Sequence, residues 1–142
     1  MVSSMPKQTT QFNFGGQMRP TEDFVLHEKI IRDRGSMYSV SIGLVTNRED
    51  IKTFLTTLKN NKKYAKATHN SWAARISKDE TIFETKNDDG EQGAGMVILR
   101  QLQKADAVDC IVCVTRWFGG VQLHGDRFRH VQDASTHALE RL

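Results

Sequence analysis

The chain has little cysteine and little proline, two residues of each, and no apolar run near the ~20 residues that a membrane-spanning helix needs. So few thiols rule out the disulfide framework of small secreted domains. The opening stretch Met1-Val2-Ser3-Ser4-Met5-Pro6-Lys7-Gln8 lacks the basic and apolar regions of a secretory signal, so a cytoplasmic chain without membrane association is expected. P-loop, nucleophile-elbow and zinc-quartet patterns are missing too, so no catalytic residue, metal or cofactor is assigned. These absences favour a binding or regulatory module over an enzyme. A net charge of +3 permits contact with nucleic acid without arguing for it. The one suggestive cysteine spacing, Cys110-x-x-Cys113, lies within a run that reads as a strand. Residues three apart on a strand point to opposite faces, so both thiols are expected in the core.

A chain of 142 residues fits one domain burying roughly two-thirds of its surface. Residues 1–21, polar and without period, are expected to be a mobile tail, and 22–142 a single domain. Leu26–Asp33 reads as a charged edge strand, and Tyr38, Val40, Ile42 and Leu44 alternate as in a half-buried strand. Asn47 is placed to cap a helix whose stripe is Ile51, Phe54, Leu55 and Leu58. Ser71–Ser77 and Thr81–Thr85 read as a hairpin turned at Lys78-Asp79. A second helix carries Ile98, Leu99, Leu102 and Ala105; the apolar strand Val108–Val114 follows, and a last helix from Asp126 buries Phe128, Val131, Ser135, Ala138 and Leu142. The order predicts an α+β, two-layer α/β domain: a mixed sheet of four to five strands with helices on one face.

Four stretches carry polar chemistry. His69 and Asn70 precede a strand, where a hydrogen-bonded pair is the plain reading. Asp88, Asp89, Gly90 and Glu91 cluster at a helix mouth, with Gly93 and Gly95 after them. Such carboxylates can hold a hard cation or accept a proton, the basis of an alternative reading as a divalent-metal phosphate-ester hydrolase with His69 or Arg116 at the substrate. Arg116, Trp117, Phe118, Gly119 and Gly120 open a shaped loop that ends at Asp126, a candidate helix cap, and Arg127. Cations in a helix's first turn oppose its dipole, so Arg127 calls for an anion opposite; the acidic loop or an external phosphate would serve. Lys59, Lys62, Lys63 and Lys66, with Tyr64 among them, form a basic run that could contact RNA, although lysines also suit a solvated helix end.

The runs Ala67–Arg75 (A-T-H-N-S-W-A-A-R), Asp88–Gly95 (D-D-G-E-Q-G-A-G) and Val114–His130 (V-T-R-W-F-G-G-V-Q-L-H-G-D-R-F-R-H) together resemble the Impact domain, shared with the N-terminal domain of bacterial YigZ proteins, and lie closer to the eukaryotic branch. The resemblance covers about Asp23 to Leu142. It implies a fold like domain two of ribosomal protein S5, no firmly attached enzymatic activity, and a part in regulating translation initiation under starvation. There Impact proteins compete with a stress kinase for its ribosome-associated activator, and bacterial relatives have been suggested to bind nucleic acid. The implied partner is a protein of translational control or the ribosome and its RNA. Positions matching the family's motifs are His69, Asn70, Asp88, Asp89, Gly90, Glu91, Gly93, Gly95, Arg116, Trp117, Gly119, Gly120, Asp126 and Arg127. Two departures stand out. His124 occupies a position where the family usually has glycine, and nothing in Met1–Thr21 reads as the RWD domain that contacts the activator.

Overall fold

The computed structural model describes residues 10–12 and 17–142. A small pair, β1 (Thr10–Phe12) and β2 (Met18–Pro20), is antiparallel. The main sheet comprises β3 (Val25–Asp33), β4 (Ser36–Leu44), β5 (His69–Lys78), β6 (Thr81–Asn87) and β7 (Cys110–Trp117). Helices α1 (Arg48–Lys59) and α2 (Lys62–Ala65) link β4 to β5, α3 (Ala94–Lys104) links β6 to β7, and α4 (Asp126–Leu139) follows β7.

The α+β class is as expected, but the sheet is antiparallel throughout rather than mixed, in the order β3-β4-β7-β5-β6. Both helical crossovers skip one strand position. β4 and β5 therefore run parallel without pairing, and β7 fills the gap antiparallel to both. Charged β3 takes an edge, as its composition predicts.

Helices cover both faces, not one, making three layers instead of two. Tyr38, Val40, Ile42, Val112 and Val114 pack with residues of α3 and α4. Ile111, Cys113, Ala74 and Ile76 pack with Ile51, Phe54 and Leu58 of α1 and Tyr64 of α2. The apolar run in β7 is thus covered on both sides, with Cys110 and Cys113 in opposite clusters. β4, read as half-buried, is also covered twice: Ser39 and Ser41 are buried, and a side chain on Gly43 would meet the Asp23 carbonyl at 1.9 Å and the Phe54 ring at 2.9 Å. Small residues on that face let a helix lie close, so the alternation of Tyr38, Val40 and Ile42 marks side-chain size and not exposure.

The cap of the first long helix behaves as read. The Asn47 side chain accepts the Asp50 N–H at 2.8 Å, capping α1. Residues Met18–Pro20, expected in a mobile tail, form β2 instead; the Met18 N–H donates to the Asp106 carbonyl at 3.0 Å and its carbonyl accepts the Val108 N–H at 2.8 Å. Residues 1–9 and 13–16 of that expected tail lie outside the described residues.

Candidate functional site

One end of the sheet gathers all three motif stretches. Tyr38, Arg116 and His69 stand side by side across β4, β7 and β5, and so share the face covered by α3 and α4. The acidic loop after β6 folds over this row. Its turn needs positive φ at Asp89 (+49°), Gly90 (+85°) and Gly93 (+92°).

The loop's carboxylates have separate tasks. Asp88 accepts the N–H groups of Gly93 (3.0 Å) and Gly95 (2.8 Å), closing the N-terminus of α3, which no side chain at Gly93 itself can cap. Those N–H groups, Gly93 first, hold the Asp88 carboxyl below the usual aspartate range against the opposing pull of burial. Asp89 accepts the Asn70 N–H at 2.7 Å. The Asn70 amide donates to the Tyr64 carbonyl at 3.0 Å and accepts the Thr115 hydroxyl at 2.6 Å, fixing the start of β5 to β7 and α2. His69 Nδ1 lies 2.9 Å from the Asp89 carbonyl, which can only accept, so this nitrogen carries the proton.

Glu91 and Arg116 are buried, 4% and 5% exposed, which decides that they act as a pair shielded from water. Arg116 Nη1 donates to both Glu91 oxygens at 3.0 and 3.1 Å, and Arg116 Nη2 to Ser36 Oγ at 3.3 Å. Arg127 Nε stands 3.6 Å from Glu91, close enough to share its charge but too far for a hydrogen bond. His69 Nε2 is 3.9 Å away on the other side. The cation in the first turn of α4 thus has its anion within the chain. Beneath the pair, burial pushes the Tyr38 hydroxyl up to about 12. An outer ring continues the network: Asp33 accepts from Arg34 and lies 2.7 Å from His130 Nε2. Asp126 was expected to cap α4; Gly125 occupies the cap instead, and Asp126 accepts Arg34 Nη2 at 2.6 Å.

The glycine loop differs in kind. A Cβ on Gly119 would meet the Gly35 backbone at 2.0 Å, so that glycine permits a close crossing of two chains; the Gly119 N–H donates to Ser36 Oγ at 3.2 Å. Gly120 needs its freedom for φ of +92° and has open space around it. His124 adopts φ of +54° itself, and Gly125 at −66° does not take over the left-handed turn. Among the described residues, Phe118 and Val121 are the exposed large apolar side chains, 43% and 47%, and they mark this loop as the open part of the site.

A profile of the Impact N-terminal domain matches residues 34–139. The chain belongs to the Impact family. Protein IMPACT of Xenopus laevis is 38% identical over 117 residues, 81% of this chain and 38% of that protein. The Protein IMPACT homolog of Schizosaccharomyces pombe is 37% identical over 110 residues, 77% of this chain and 39% of that one. The chain therefore spans about two-fifths of the length of these relatives. Among solved structures, the two-domain translational regulator Yih1 is similar with TM-score 0.58 and 30% identity, covering 99% of this chain and 53% of that one. A hypothetical protein with TM-score 0.72, 21% identity and coverage of 84% and 61% shares the fold.

For this Impact domain, the three acidic carboxylates do not converge on a common point. Asp88 turns to backbone N–H groups, Asp89 to Asn70 and Glu91 to Arg116, and among the described residues no cluster of three His, Cys, Asp or Glu is placed to hold a metal. The lysine run divides. Lys59 closes α1, Lys62 and Lys63 lie in α2 and Lys66 ends it, all exposed, while Tyr64, read as a surface aromatic beside them, is fully buried with its hydroxyl donating to Glu28 at 2.7 Å. Trp117 points to the α2 side, its indole N–H on the Lys63 carbonyl at 3.1 Å. His130, a cation-capable residue in the first turns of α4, meets its anion in Asp33, and Asp33, Arg34, Ser36 and Tyr38 join the assembly with only the Arg34-Gly35 turn between two strands as a local signal.

Proposed function

We propose that this Impact domain is a non-enzymatic regulatory module of translation, acting in initiation control by holding a partner against the rim formed by Trp117–Val121. One observation carries this reading: the carboxylates of the acidic loop are each engaged within the chain, and the large apolar side chains that the site leaves to solvent, Phe118 and Val121, stand together on one loop. Phe118 is tethered through its N–H to Thr68 Oγ1 at 2.9 Å, so the loop is presented rather than left slack. A preformed surface binds without the cost of ordering it. The names of the relatives, Protein IMPACT and the translational regulator Yih1, support the translational setting.

The test is co-sedimentation with initiating ribosomes and their associated factors from a translation extract, alongside the rate of initiation. The parent chain is expected to sediment with them and to change that rate, and Phe118→Ala with Val121→Ala to lose both effects. An untouched initiation rate at saturating protein would overturn the reading. The competing hydrolase reading requires Asp88, Asp89 and Glu91 to hold Mg²⁺ or Mn²⁺, and calorimetric titration with either ion is expected to give no heat of binding.

A further inference from the structure

We propose that the open edge of β6 takes up an extended acidic segment of a partner protein as a sixth strand, at the end of the sheet away from the motif row. The two edges of the sheet differ in the way that decides this. In β3 the pairing with β4 slips between His27 and Ile31, and Glu28, Lys29, Arg32 and Asp33 put charge along the strand. Bulges and charges are the devices that keep an edge from pairing with another chain. β6 has no such break: each residue from Thr81 to Asn87 pairs in turn with one from Lys78 back to Trp72. The two-residue turn Asp79-Glu80 makes Lys78 and Thr81 a bonded pair, so Ile82, Glu84 and Lys86 turn their N–H and C=O groups to the open side. Among the described residues no other segment bonds to that backbone.

Beside this edge lies a place for side chains. Phe83 and Ile76, opposite each other in register, face α1. On the other face α3 packs on both β5 and β6, but α1 leaves in front of Phe83 and Ile76 a cleft of about 700 Å³, walled by Arg48, Glu49 and Lys78. Phe83 is half-buried and carries the Arg48 guanidinium 4.4 Å from its ring centroid. Helical spacing extends the wall. Arg48, Lys52, Leu55 and Lys59 form one stripe of α1, and Leu55 packs on the same cluster as Phe83 and Trp72. Asp50, Thr53 and Thr57 take the opposite flank, in front of Asp23 and Leu44. The helix thus sorts its cations to the β6 side, and of the residues lining the cleft Glu49 alone is acidic. Arg48, Lys52, Lys59 and Lys78 have no carboxylate partner among the described residues.

A strand added to β6 sets alternate side chains beside Thr81, Phe83 and Thr85 on the α1 side. An apolar one beside Phe83 enters the cleft, and acidic ones two positions to either side meet Lys78 and the cations of α1. Backbone pairing supplies affinity, and these side chains select the segment. A second copy of this chain would instead bring two Arg48-Lys52-Lys59 stripes toward each other. A nucleic-acid strand has no ladder of N–H and C=O groups to offer the edge. An acidic polypeptide answers both features. This surface is separate from the Trp117–Val121 rim and stands without it.

A fluorescein-labelled heptapeptide, Thr-Glu-Thr-Leu-Thr-Glu-Thr, titrated with the full chain and followed by anisotropy, tests the assignment. Glu84→Pro removes an outward N–H and no bond to β5, so it is expected to abolish binding, whereas Glu84→Gln keeps that N–H and should bind as the parent does. Arg48→Gln combined with Lys52→Gln should weaken binding about fivefold. Replacing the peptide's leucine by threonine should weaken it about tenfold. Amide NMR of the isotope-labelled parent chain needs no variant: adding the peptide should shift the signals of Ile82, Glu84 and Lys86. No binding, shifts confined to Trp117–Val121, or undiminished binding by a Glu84→Pro chain that keeps the parental unfolding midpoint would overturn the proposal. Displacement of the peptide by oligouridylate at equal charge concentration would overturn it in favour of nucleic acid. A dimer in sedimentation that Glu84→Pro dissolves would overturn it in favour of a second copy.

Discussion

Two loops meet at the same end of the sheet, and they are opposites. In the acidic loop each carboxylate is spent on a partner within the chain: Asp88 on two N–H groups, Asp89 on Asn70, Glu91 on Arg116. In the glycine loop the side chains of Phe118 and Val121 stand in solvent, and the space around Gly120 is empty. The charged loop is therefore scaffold, and the apolar one is the part left over for another molecule. The lesson runs against first impressions, because carboxylates around a glycine look like chemistry and a Phe-Gly-Gly turn looks like a connector.

The contrast is open to breakage at several points. The largest effect is expected from Glu91→Gln, which strips the anion from a buried guanidinium; removing one partner of a buried pair costs about 3–5 kcal/mol, read as a lower midpoint in urea unfolding. A loss under 1 kcal/mol would mean that water reaches Arg116 more readily than its burial indicates. Next come the paired glycines, which are expected to differ. Gly119→Ala drives a methyl into the Gly35 backbone and should cost about 3 kcal/mol, whereas Gly120→Ala meets no atom and should cost only the left-handed strain, about 1–2 kcal/mol. Equal losses would show that the close crossing relaxes.

Asp88→Asn should cost about 1–2 kcal/mol, as for loss of a helix cap. Its pH dependence has a definite sign. Because the folded carboxyl titrates below the unfolded one, its stabilisation is fully present above the ordinary aspartate pKa of about 3.9 and drains away as pH falls toward the lower folded value. The parent and Asp88→Asn chains should therefore converge in stability in acid and diverge toward neutral pH; a constant gap would place the effect in packing. Smallest are the changes at the open loop. Phe118→Ala is expected to shift stability by no more than about 0.5 kcal/mol while abolishing partner binding. His124→Gly should be near neutral as well, since relieved strain and the added chain entropy of glycine are each about 1 kcal/mol.

Much of the fold was legible because its signals are local. The Asn47 cap, the stripe Ile51-Phe54-Leu58, the hairpin of β5 and β6, whose turn falls at Asp79-Glu80 one residue later than read, and the opposed Cys110 and Cys113 each depend on residues within a turn or two of chain. The site was legible in part. The motif residues could be named, but the division of labour among Asp88, Asp89 and Glu91 could not, since it depends on which N–H or guanidinium the finished sheet brings near. Asp126 shows the same difficulty: it suits a helix cap by type and position, and it was drawn to Arg34, 92 residues away in sequence.

Read alone, the amino-acid order settles the class, the approximate places of the main strands and long helices, and the family, because hydrophobic period, capping and turn chemistry act over a few residues. Tertiary structure alone decided that β7 enters between β4 and β5, that helices lie on both faces, and that Glu91 rather than Asp88 neutralises Arg116. Those outcomes turn on burial and strand pairing between distant segments, where the free energy of excluding water from a charge or an apolar face depends on what arrives from elsewhere in the chain.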